Sequence, residues 1–564
     1  IANRSEIAIR ISRAATELGY KTVSIYSYED RFALHRFKTD ESYLVGSGLG
    51  PIQAYLDYKG IVQIALNSGC DAIHPGYGFL SENPEFADEC AKHNILFVGP
   101  SSKIMRSLGN KVEAKKTADK AKVPTIPSTG PLPRDIKKCK ALAKKIGYPI
   151  MLKASWGGGG RGMRVIRKEN ELENQINTAR REAKSAFGKD DVFFEKLIEK
   201  AFHVEVQIIG DTHGNIVHLF ERDCSLQRRH QKVVERAPAA YLSDKEREAI
   251  CQAGVSIGKQ VDYSCAGTVE FLMDAKSREF FFIEVNPRVQ VEHTVTEEIT
   301  GIDIVKAQFL LASGAKIGDG ICGVPKQQDI KMKGHAIQSR VTTEDAANDF
   351  APDYGKITVY RSASGHGIRL DAGTAATGTV ITPYYDSLLV KVSAKGQSPV
   401  EAKQRMDRAL REFRVRGVKT NIPFLLKLIN HPGFDKFDYH TKFIDSERSL
   451  FEFSSRKDRA SKTLNFLAEV IVNGNTEVAN RPKLRETTPA KLSDFGIAKS
   501  KKAQQAVGKT FKQILDENGP KEVAQAVLKE KKLLITDTTF RDAHQSLIAT
   551  RMRTQDMLGI TDLY

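Results

Sequence analysis

Residues 280–293 read FFFIEVNPRVQVEH, and polar and apolar side chains alternate along them. Successive side chains of a strand point to opposite faces, so this pattern predicts a strand with one apolar and one polar face. The apolar face consists of Phe281, Ile283, Val285, Val289 and Val291. The polar face consists of Glu284, Asn286, Arg288, Gln290 and Glu292. Pro287 has no N–H for a strand ladder, so we expect regular pairing to end there and the later polar groups to point into a cleft.

The polar face has the residue types of a site for a hard cation and a small oxyanion. Glu284 and Asn286 offer two oxygens, which suit Mg²⁺ while it keeps part of its shell for phosphate. Arg288 offers a planar fork for an oxyanion, and Glu292 is a carboxylate that can act as a base. An ordinary strand with a solvated polar face is the alternative, although such a face has no reason to be so poor in Lys, Ser and Thr.

The segment GTVEFLM at 267–273 alternates in the same way and carries Glu270 on its polar face. Residues 274–279 have the composition of a turn, so we expect an antiparallel hairpin in which Glu270 and Glu284 meet across the strands. Two carboxylates beside Asn286 then predict a site for one or two Mg²⁺ ions.

Composition excludes several classes of protein. The 564 residues are enough for several domains, and 41% hydrophobic with 27% charged residues describe an ordinary globular protein. The seven cysteines are scattered without any CxxC, which argues for free thiols in a reducing compartment and against a disulfide framework or zinc site. No apolar run approaches the roughly 20 residues that span a bilayer, and no signal peptide is visible. We therefore expect a cytoplasmic protein with no membrane partner.

The net charge of +17 raises the question of nucleic acid binding. The Lys and Arg residues are spread along the whole chain, and no recognition motif accompanies them. A field that attracts anionic metabolites is the favoured interpretation, a solvated surface is the neutral one, and a nucleic-acid or nucleotide-sensing module is a remote alternative.

The first hundred residues alternate between predicted strands and helices. A helix is expected over Arg10–Leu18, and short strands over Thr22–Tyr26 and Asp71–His74. This order predicts a doubly wound parallel sheet with helices on its faces. The turn HPGYGFLSEN at 74–83 either lets a ligand approach its glycine backbone or simply joins a strand to a helix.

The segment KASWGGGGRGM at 153–163 contains four successive glycines. It is either a linker or a flap over phosphates, and the strand predicted at Arg164–Ile166 favours a hairpin flap. Further strands are expected at Phe193–Glu195 and Val204–Ile209, and residues 195–198 resemble a hinge edge on which an adenine could stack. The charged segment ERDCSLQRRHQK at 221–232 is either a solvated face or a strand that faces an anion.

The C-terminal third has a different character. A helix-then-strand region runs from 294 to about 446, and the Lys-rich residues 447–530 are mostly helical by pattern, with a linker at 475–492. The segment 533–553 begins like a buried strand and ends on a polar turn, which is typical of the first strand of a (β/α)8 barrel.

Six motifs resemble the biotin carboxylase component of the biotin-dependent carboxylases, which belong to the ATP-grasp superfamily. They are ANRSEIAIR at 2–10, HPGYGFLSEN, KASWGGGGRGM, RDCSLQRRHQK at 222–232, GTVEFL at 267–272 and FIEVNPRVQVEHTVTE at 282–297. The resemblance implies an α/β and α+β multidomain chain. Its implied parts are an N-terminal parallel-sheet domain (1–108), an ATP-grasp domain (109–333, flap about 130–200), a mixed C-terminal subdomain (334–446), a linker or allosteric region (447–530) and the start of a barrel (531–564).

The segment TDTTFRDAHQSLIATR at 536–551 resembles the opening of the carboxyltransferase barrel of the pyruvate carboxylase family. Acyl-CoA carboxylases share every motif up to residue 446 but use an unrelated carboxyltransferase, so they are the second choice. The resemblance implies ATP- and bicarbonate-dependent carboxylation of biotin, and carboxylation of pyruvate to oxaloacetate in the complete enzyme. Because a biotin-accepting hairpin and most of the barrel are absent, we expect an N-terminal piece of such an enzyme.

The resemblance also implies roles for individual residues. ATP contacts fall on Lys111, Lys153, Glu195, Lys196, Leu197, His203, Gln227, His230 and Leu272, with Gly157, Gly158, Gly159 and Gly160 closing over the phosphates. Mg²⁺ or Mn²⁺ falls on Glu270 and Glu284, with Asn286 at a second ion. Bicarbonate falls on Lys232, Arg288, Gln290 and Val291, Glu292 takes its proton, and Arg340 faces the biotin ureido oxygen. In the barrel segment, Asp542 matches a divalent-metal ligand, and Arg541 and Gln545 match pyruvate contacts.

The implied partners are a biotin carrier domain and a carboxyltransferase domain, the first absent from this chain and the second largely absent. A homo-oligomer, a tetramer in the full-length enzyme, and regulation by acetyl-CoA are also implied. One departure stands out, because Ser5 replaces the glycine that is usual in this motif and reduces the freedom of the backbone there.

Overall fold

The computed structural model describes residues 1–109, 111–154, 164–187, 190–453, 459–475, 508–542, 545–546 and 557, apart from the side chains of 111–112, 186–187 and 459–461. The chain forms two compact units, Ile1–Ser455 and Arg456–Tyr564. No helix in the described part of the chain is long and apolar enough to cross a membrane.

The N-terminal region alternates between strands and helices, as the sequence predicts. Its strands are β1 (Val23–Tyr26), β2 (Glu41–Leu44), β3 (Ala72–Ile73) and β4 (Leu96–Phe97). Its helices are α1 (Ser5–Glu17), α2 (Pro51–Leu56), α3 (Tyr58–Asn67), α4 (Pro84–Lys92), α5 (Ser102–Gly109) and α6 (Lys111–Lys120). Strands β1 and β2 pair in parallel, and so do β3 and β4, so the expected parallel sheet takes the form of two short parallel pairs. Helix α1 begins five residues before the predicted Arg10, because Ile7 is already part of its buried face.

Ser5 opens α1 with a backbone φ of +57°, in the left-handed region that favours glycine. Its neighbour Gly373 lies so close that a Cβ there would be 1.9 Å from the Ser5 Oγ. A side chain at position 5 therefore strains the backbone and lies close against the backbone of Gly373.

We expect Ser5→Gly to raise the free energy of unfolding by about 1 kcal/mol, because the gain from relieving a left-handed residue exceeds the loss of glycine's entropy. Urea denaturation of the variant and of Ser5→Ala measures this. Alanine keeps the Cβ and the strain, so it should bring no such gain. A decrease in the stability of Ser5→Gly would contradict the prediction.

A small antiparallel sheet and two helices follow. The strands are β5 (Ile150–Ala154), β6 (Arg164–Ile166) and β7 (Val192–Lys196), in the order β6-β5-β7, and the helices are α7 (Ile136–Ile146) and α8 (Leu172–Phe187). The pairing of β5 with β6 is the hairpin expected around the glycine segment. Gly157–Gly160 themselves lie outside the described residues.

An eight-stranded antiparallel sheet forms the centre of the first unit, in the order β12-β11-β8-β9-β10-β13-β20-β18. The strands from here to residue 416 are β8 (Ala201–Gly210), β9 (Ile216–Arg228), β10 (Gln231–Ala237), β11 (Cys265–Asp274), β12 (Phe280–Asn286), β13 (His335–Thr342), β14 (Glu344–Asp345), β15 (Ala351–Pro352), β16 (Gly355–Lys356), β17 (Val359–Arg361), β18 (Ile368–Ala372), β19 (Val380–Ile381), β20 (Leu388–Gly396) and β21 (Arg414–Arg416). The helices are α9 (Asp244–Gln260), α10 (His293–Thr300), α11 (Ile304–Ala312), α12 (Pro399–Glu412), α13 (Ile422–Ile429), α14 (Pro432–Asp435) and α15 (Phe443–Ser446). Because β10 pairs with β13, one continuous sheet carries polar side chains from both the central and the C-terminal part of this unit.

The hairpin of β11 and β12 confirms the predicted meeting of Glu270 and Glu284, which are direct partners across the strands. Strand β12 ends at Asn286, as the proline after it predicts. The predicted alternation is wrong in one respect. A bulge lies between the pairs Glu270–Glu284 and Phe271–Phe282, so Phe282 is buried while Phe281 and Ile283 are only partly covered.

The second unit contains α16 (Arg459–Asn473), α17 (Phe511–Asn518) and α18 (Pro520–Lys529), which agree with the helical pattern predicted for 447–530. It also contains α19 (Thr539–Asp542), which lies in the segment predicted as a strand and polar turn. Most of the predicted linker at 475–492 lies outside the described residues. The expected barrel strand is not formed, since residues 533–538 have no regular structure and Leu533 is exposed. A parallel barrel strand needs neighbouring strands for its hydrogen bonds, and none of the described residues supplies one.

Candidate active site

A cleft of about 900 Å³ opens beside the eight-stranded sheet. It brings together residues from the hairpin, the loop after it, β8–β10 and the C-terminal strand β13. The sequence-predicted residues that line it are His203, Gln227, His230, Lys232, Glu270, Glu284, Asn286, Arg288, Gln290, Val291, Glu292 and Arg340.

The remaining predicted nucleotide contacts lie elsewhere in the first unit. Lys153 on β5 donates to the Glu195 carboxylate on β7, and the Lys196 Nζ donates to the Gly147 carbonyl at 2.8 Å. Leu197 follows β7 directly, and Leu272 is the register partner of His203. The side chain of Lys111 and the four glycines lie outside the described residues.

Lys232 is the centre of the cleft. Its ammonium donates to Glu205 Oε2 at 2.5 Å, to Glu270 Oε1 at 2.9 Å and to Glu292 Oε1 at 2.6 Å. Burial alone would lower the pKa of Lys232, but the three carboxylates outweigh it and hold the pKa well above its usual value. The side chain is therefore a fixed cation that holds three carboxylates in place.

Glu292 lies just before α10 and is almost fully buried, with 2% of its surface exposed. Its second oxygen accepts from Arg340 Nη2 at 2.9 Å. Burial alone would raise the pKa of Glu292, but the charges of Lys232, Arg340 and Arg222 hold it well below its usual value. Glu292 is consequently an ionised carboxylate placed between two cations.

Arg340 reaches the cleft from β13. Its Nε donates at 2.5 Å to Glu235, a fully buried carboxylate on β10. Its backbone carbonyl accepts from the Asn421 amide at 2.9 Å. The guanidinium is thus held in one orientation, with one edge on Glu235 and one amino group directed at Glu292.

The loop between β12 and α10 is fixed from two sides. Arg288 donates to Glu82 Oε1 at 2.5 Å and to Asn286 Oδ1 at 3.0 Å. Behind the loop, Lys391 Nζ donates to the Val291 carbonyl at 3.0 Å and His293 Nδ1 donates to the Gln290 carbonyl at 2.7 Å. Cationic and amide donors are therefore presented along one wall of the cleft, where an anion can be bound.

The same cleft has the oxygens that a hard cation requires. Glu270 and Glu284 face each other on adjacent strands, and the amide nitrogen of Asn286 donates to Glu270 at 3.0 Å. His203 Nε2 lies 3.1 Å from Glu270, and atoms of His203, Glu205 and Glu270 lie within 4.8 Å of one another. Two carboxylates in register fit a magnesium ion, whereas the Asn286 oxygen is engaged by Arg288.

Sequence reasoning missed Glu205, Arg222 and Glu235, all fully buried. The alternation of VEVQII at 204–209 would place Glu205 and Gln207 on a solvated face, and only the structure shows that β8 is buried along its whole length. Buried polar residues in an otherwise apolar strand indicate that a partner lies nearby. Of the two interpretations of the charged segment 221–232, neither fits Arg222, which is fully buried and donates to Glu205 and Gln290 instead of facing solvent or a bound anion.

Three family models match the chain. They are described as biotin carboxylase, N-terminal domain (residues 1–105), carbamoyl-phosphate synthase L chain, ATP binding domain (residues 110–319), and biotin carboxylase C-terminal domain (residues 338–446).

Curated relatives and solved structures match as well. Pyruvate carboxylase of Staphylococcus aureus is 53% identical over 561 residues, which cover 99% of this chain and 48% of the relative. Pyruvate carboxylase of Bacillus subtilis is 52% identical and is also covered to 48%. A structure of Rhizobium etli pyruvate carboxylase with acetyl coenzyme A matches 99% of this chain and 49% of that one, with 56% identity and a TM-score of 0.78. The chain thus spans about half the length of the curated relatives it matches.

A shorter structure is covered almost completely. It is the biotin carboxylase domain dimer of 2-oxoglutarate carboxylase from Hydrogenobacter thermophilus, in complex with Mg-ADP, ADP and bicarbonate. The match covers 80% of this chain and 98% of that domain, with 42% identity and a TM-score of 0.76. Together with the three-part match of the family models, this similarity shows that the chain belongs to the biotin carboxylase family.

Proposed function

We propose that this chain carboxylates biotin with bicarbonate and ATP, as the first half-reaction of a pyruvate carboxylase. The observation that carries the proposal is the Glu292 carboxylate, held between Lys232 and Arg340 in a cleft that also contains the paired carboxylates Glu270 and Glu284. The acyl-CoA carboxylase alternative shares motifs only up to 446, whereas the pyruvate carboxylases match 99% of the chain or more.

The residues have distinct roles in this proposal. Bicarbonate is bound by Lys232, Arg288, the Gln290 amide and the backbone N–H of Val291. Glu292 accepts the proton of bicarbonate. The resulting oxyanion attacks the γ-phosphorus of ATP, ADP leaves and carboxyphosphate forms. Mg²⁺ or Mn²⁺ held by Glu270 and Glu284, with Asn286 at a second ion, would neutralise phosphate charge.

The second step transfers the carboxyl group to biotin. Carboxyphosphate breaks into CO₂ and phosphate, and phosphate removes the proton from N1 of biotin. Arg340 stabilises the negative charge on the ureido oxygen while N1 forms its bond to the carbon of CO₂. The nucleotide is bound by the remaining predicted contacts, which are Lys111, Lys153, Gly157–Gly160, Glu195, Lys196, Leu197, His203, Gln227, His230 and Leu272. The site must be enclosed during the reaction because carboxyphosphate hydrolyses in water.

The wider assignments rest on the family. We infer domains at 1–108, 109–333 and 334–446, close to the matched ranges, followed by a linker or allosteric region and the start of a carboxyltransferase barrel with Asp542 as a metal ligand. A biotin carrier domain, a carboxyltransferase domain and a second copy of the chain are the expected partners, with acetyl-CoA as regulator. All seven cysteines are free, which supports a reducing compartment such as the cytoplasm.

The test is ATP hydrolysis by this chain with Mg²⁺, with and without bicarbonate and free biotin. Phosphate release that requires bicarbonate and increases with biotin supports the proposal. Hydrolysis that is indifferent to bicarbonate contradicts it.

Arg340→Lys should separate the two steps. Lysine keeps the charge beside Glu292 but loses the fork that fits a ureido oxygen, so we expect stimulation by biotin to fall about 10²-fold. Bicarbonate-dependent hydrolysis without biotin should fall far less. Arg278→Lys, at an ion pair with Glu246 near the surface, is the matched control. Unchanged stimulation by biotin in Arg340→Lys would remove this role.

A further inference from the structure

Arg222 is the most completely bonded side chain near the cleft. It lies on β9 with none of its surface exposed, directly opposite Glu205 on β8. Its guanidinium has five N–H groups, and each one meets a different oxygen. The acceptors are Glu205 Oε1 (2.5 Å), Gln207 Oε1 (2.8 Å), Thr296 Oγ1 (3.1 Å), Thr268 Oγ1 (3.0 Å) and Gln290 Oε1 (2.7 Å).

Two of these bonds act on the cleft, because Gln290 lines it and Glu205 contacts Lys232, which also lines it. Gln290 accepts from Arg222 through its oxygen, so its amide nitrogen is directed to the other side, where it donates to Glu270 at 2.8 Å. Turned over, the amide would present its oxygen to the carboxylate and to any bound anion. Arg222 therefore determines that Gln290 acts as a donor.

The other bond acts on Lys232. Glu205 accepts from Arg222 through Oε1 and from Lys232 through Oε2, so a single carboxylate joins the two cations. Glu205 divides its negative charge between Arg222 and Lys232. It therefore neutralises the Lys232 ammonium only in part, and this ammonium still attracts other anionic groups in the cleft. Gln207, whose amide nitrogen is held by the Gly267 carbonyl at 2.9 Å, fixes the guanidinium from behind.

We infer that Arg222 is a positioning residue for the bicarbonate site, which orients the Gln290 amide and, through Glu205, the Lys232 ammonium without touching the substrate. The inference rests on the proposed function. A purely structural arginine would hold β8, β9 and β11 together and affect all substrates alike. A positioning role raises the KM for bicarbonate more than the KM for ATP.

Arg222→Lys is the informative variant, because lysine keeps the charge but has three donors on one atom in place of five on a planar fork. We expect the KM for bicarbonate to rise about tenfold or more, with the KM for ATP and the Kd of Mg-ADP within about twofold of wild type. Arg247→Lys is the control. Arg247 also pairs with a buried carboxylate, Glu221, at 2.9 Å but does not line the cleft, and its bicarbonate KM should stay within about twofold.

A milder variant keeps the inference testable if Arg222→Lys folds poorly. Thr296→Val removes one acceptor of Arg222 with little change of shape, and we expect the KM for bicarbonate to rise about twofold to fivefold. In a Gln290→Ala background, where the amide is already gone, Arg222→Lys should add less than it does alone.

The outcomes are distinguishable. The inference is overturned if the KM for bicarbonate and the KM for ATP rise in parallel. It is also overturned if the KM for bicarbonate is unchanged in Arg222→Lys or Thr296→Val. In either case, bicarbonate-dependent turnover of the wild type still upholds the proposed function. Absence of bicarbonate-dependent turnover in wild type overturns both.

Discussion

Glu292→Gln is expected to lower bicarbonate-dependent ATP turnover by about 10³-fold. The substitution keeps the size of the side chain but removes the proton acceptor, and its single amide oxygen can accept from only one of Lys232 and Arg340. Lys232 and Arg340 hold the pKa of Glu292 well below its usual value of 4.5, so the wild-type group is ionised throughout the neutral range. Because the pKa of Glu292 is lowered, the carboxylate becomes protonated only at a pH below 4.5. Its contribution as a base is lost only there.

Mg-ADP binding separates a chemical effect from a structural one. We expect the Kd of Mg-ADP for Glu292→Gln to stay within about twofold of wild type, as measured by isothermal titration calorimetry. Glu248→Gln, at an exposed position of α9, is the matched control and should keep full turnover. Turnover in Glu292→Gln above about one tenth of wild type would mean that another group takes the proton.

The hairpin of β11 and β12 can be predicted because it is local. Two alternating segments flank a short turn, so the antiparallel pairing of the two strands follows from the sequence, but counting residues from the turn would pair Glu270 with Ile283. The bulge beside Ile283 is different, since nothing in the local pattern marks an extra residue. It shifts the register by one residue, so that Phe282 takes the buried position and Glu284 becomes the partner of Glu270.

The arrangement around Lys232 cannot be predicted in the same way. Glu205, Glu270 and Glu292 lie on β8, on β11 and in the loop before α10, and only the strand order β11-β8-β9-β10 brings them to one ammonium group. Sequence spacing contains no information about that order. The contact of Arg288 with Glu82 is a similar case, because it joins positions 206 residues apart.

Lys232→Met should have the largest effect on stability as well as activity. The ammonium touches three buried carboxylates, and methionine leaves them facing one another, with their remaining contacts to Arg222, Arg340, His203, Asn286 and Gln290. Breaking a buried ion cluster by removing one partner costs about 3–5 kcal/mol of unfolding free energy. We also expect bicarbonate-dependent turnover to fall about 10³-fold or more, because both bicarbonate binding and the position of Glu292 depend on this cation.

The pH dependence distinguishes this cause from a packing defect. In wild type the pKa values of Glu270 and Glu292 are held well below 4.5, so their contribution to stability is present above pH 4.5 and lost in acid. Without Lys232, burial raises those pKa values, and ionisation then costs stability as the pH rises. The deficit of Lys232→Met in urea denaturation should therefore shrink from about pH 8 to about pH 5.5. Lys276→Met, at an exposed turn position, should show no deficit at either pH. A deficit that is the same at both pH values would instead indicate lost packing, and the carboxylates would then not be the groups that Lys232 stabilises.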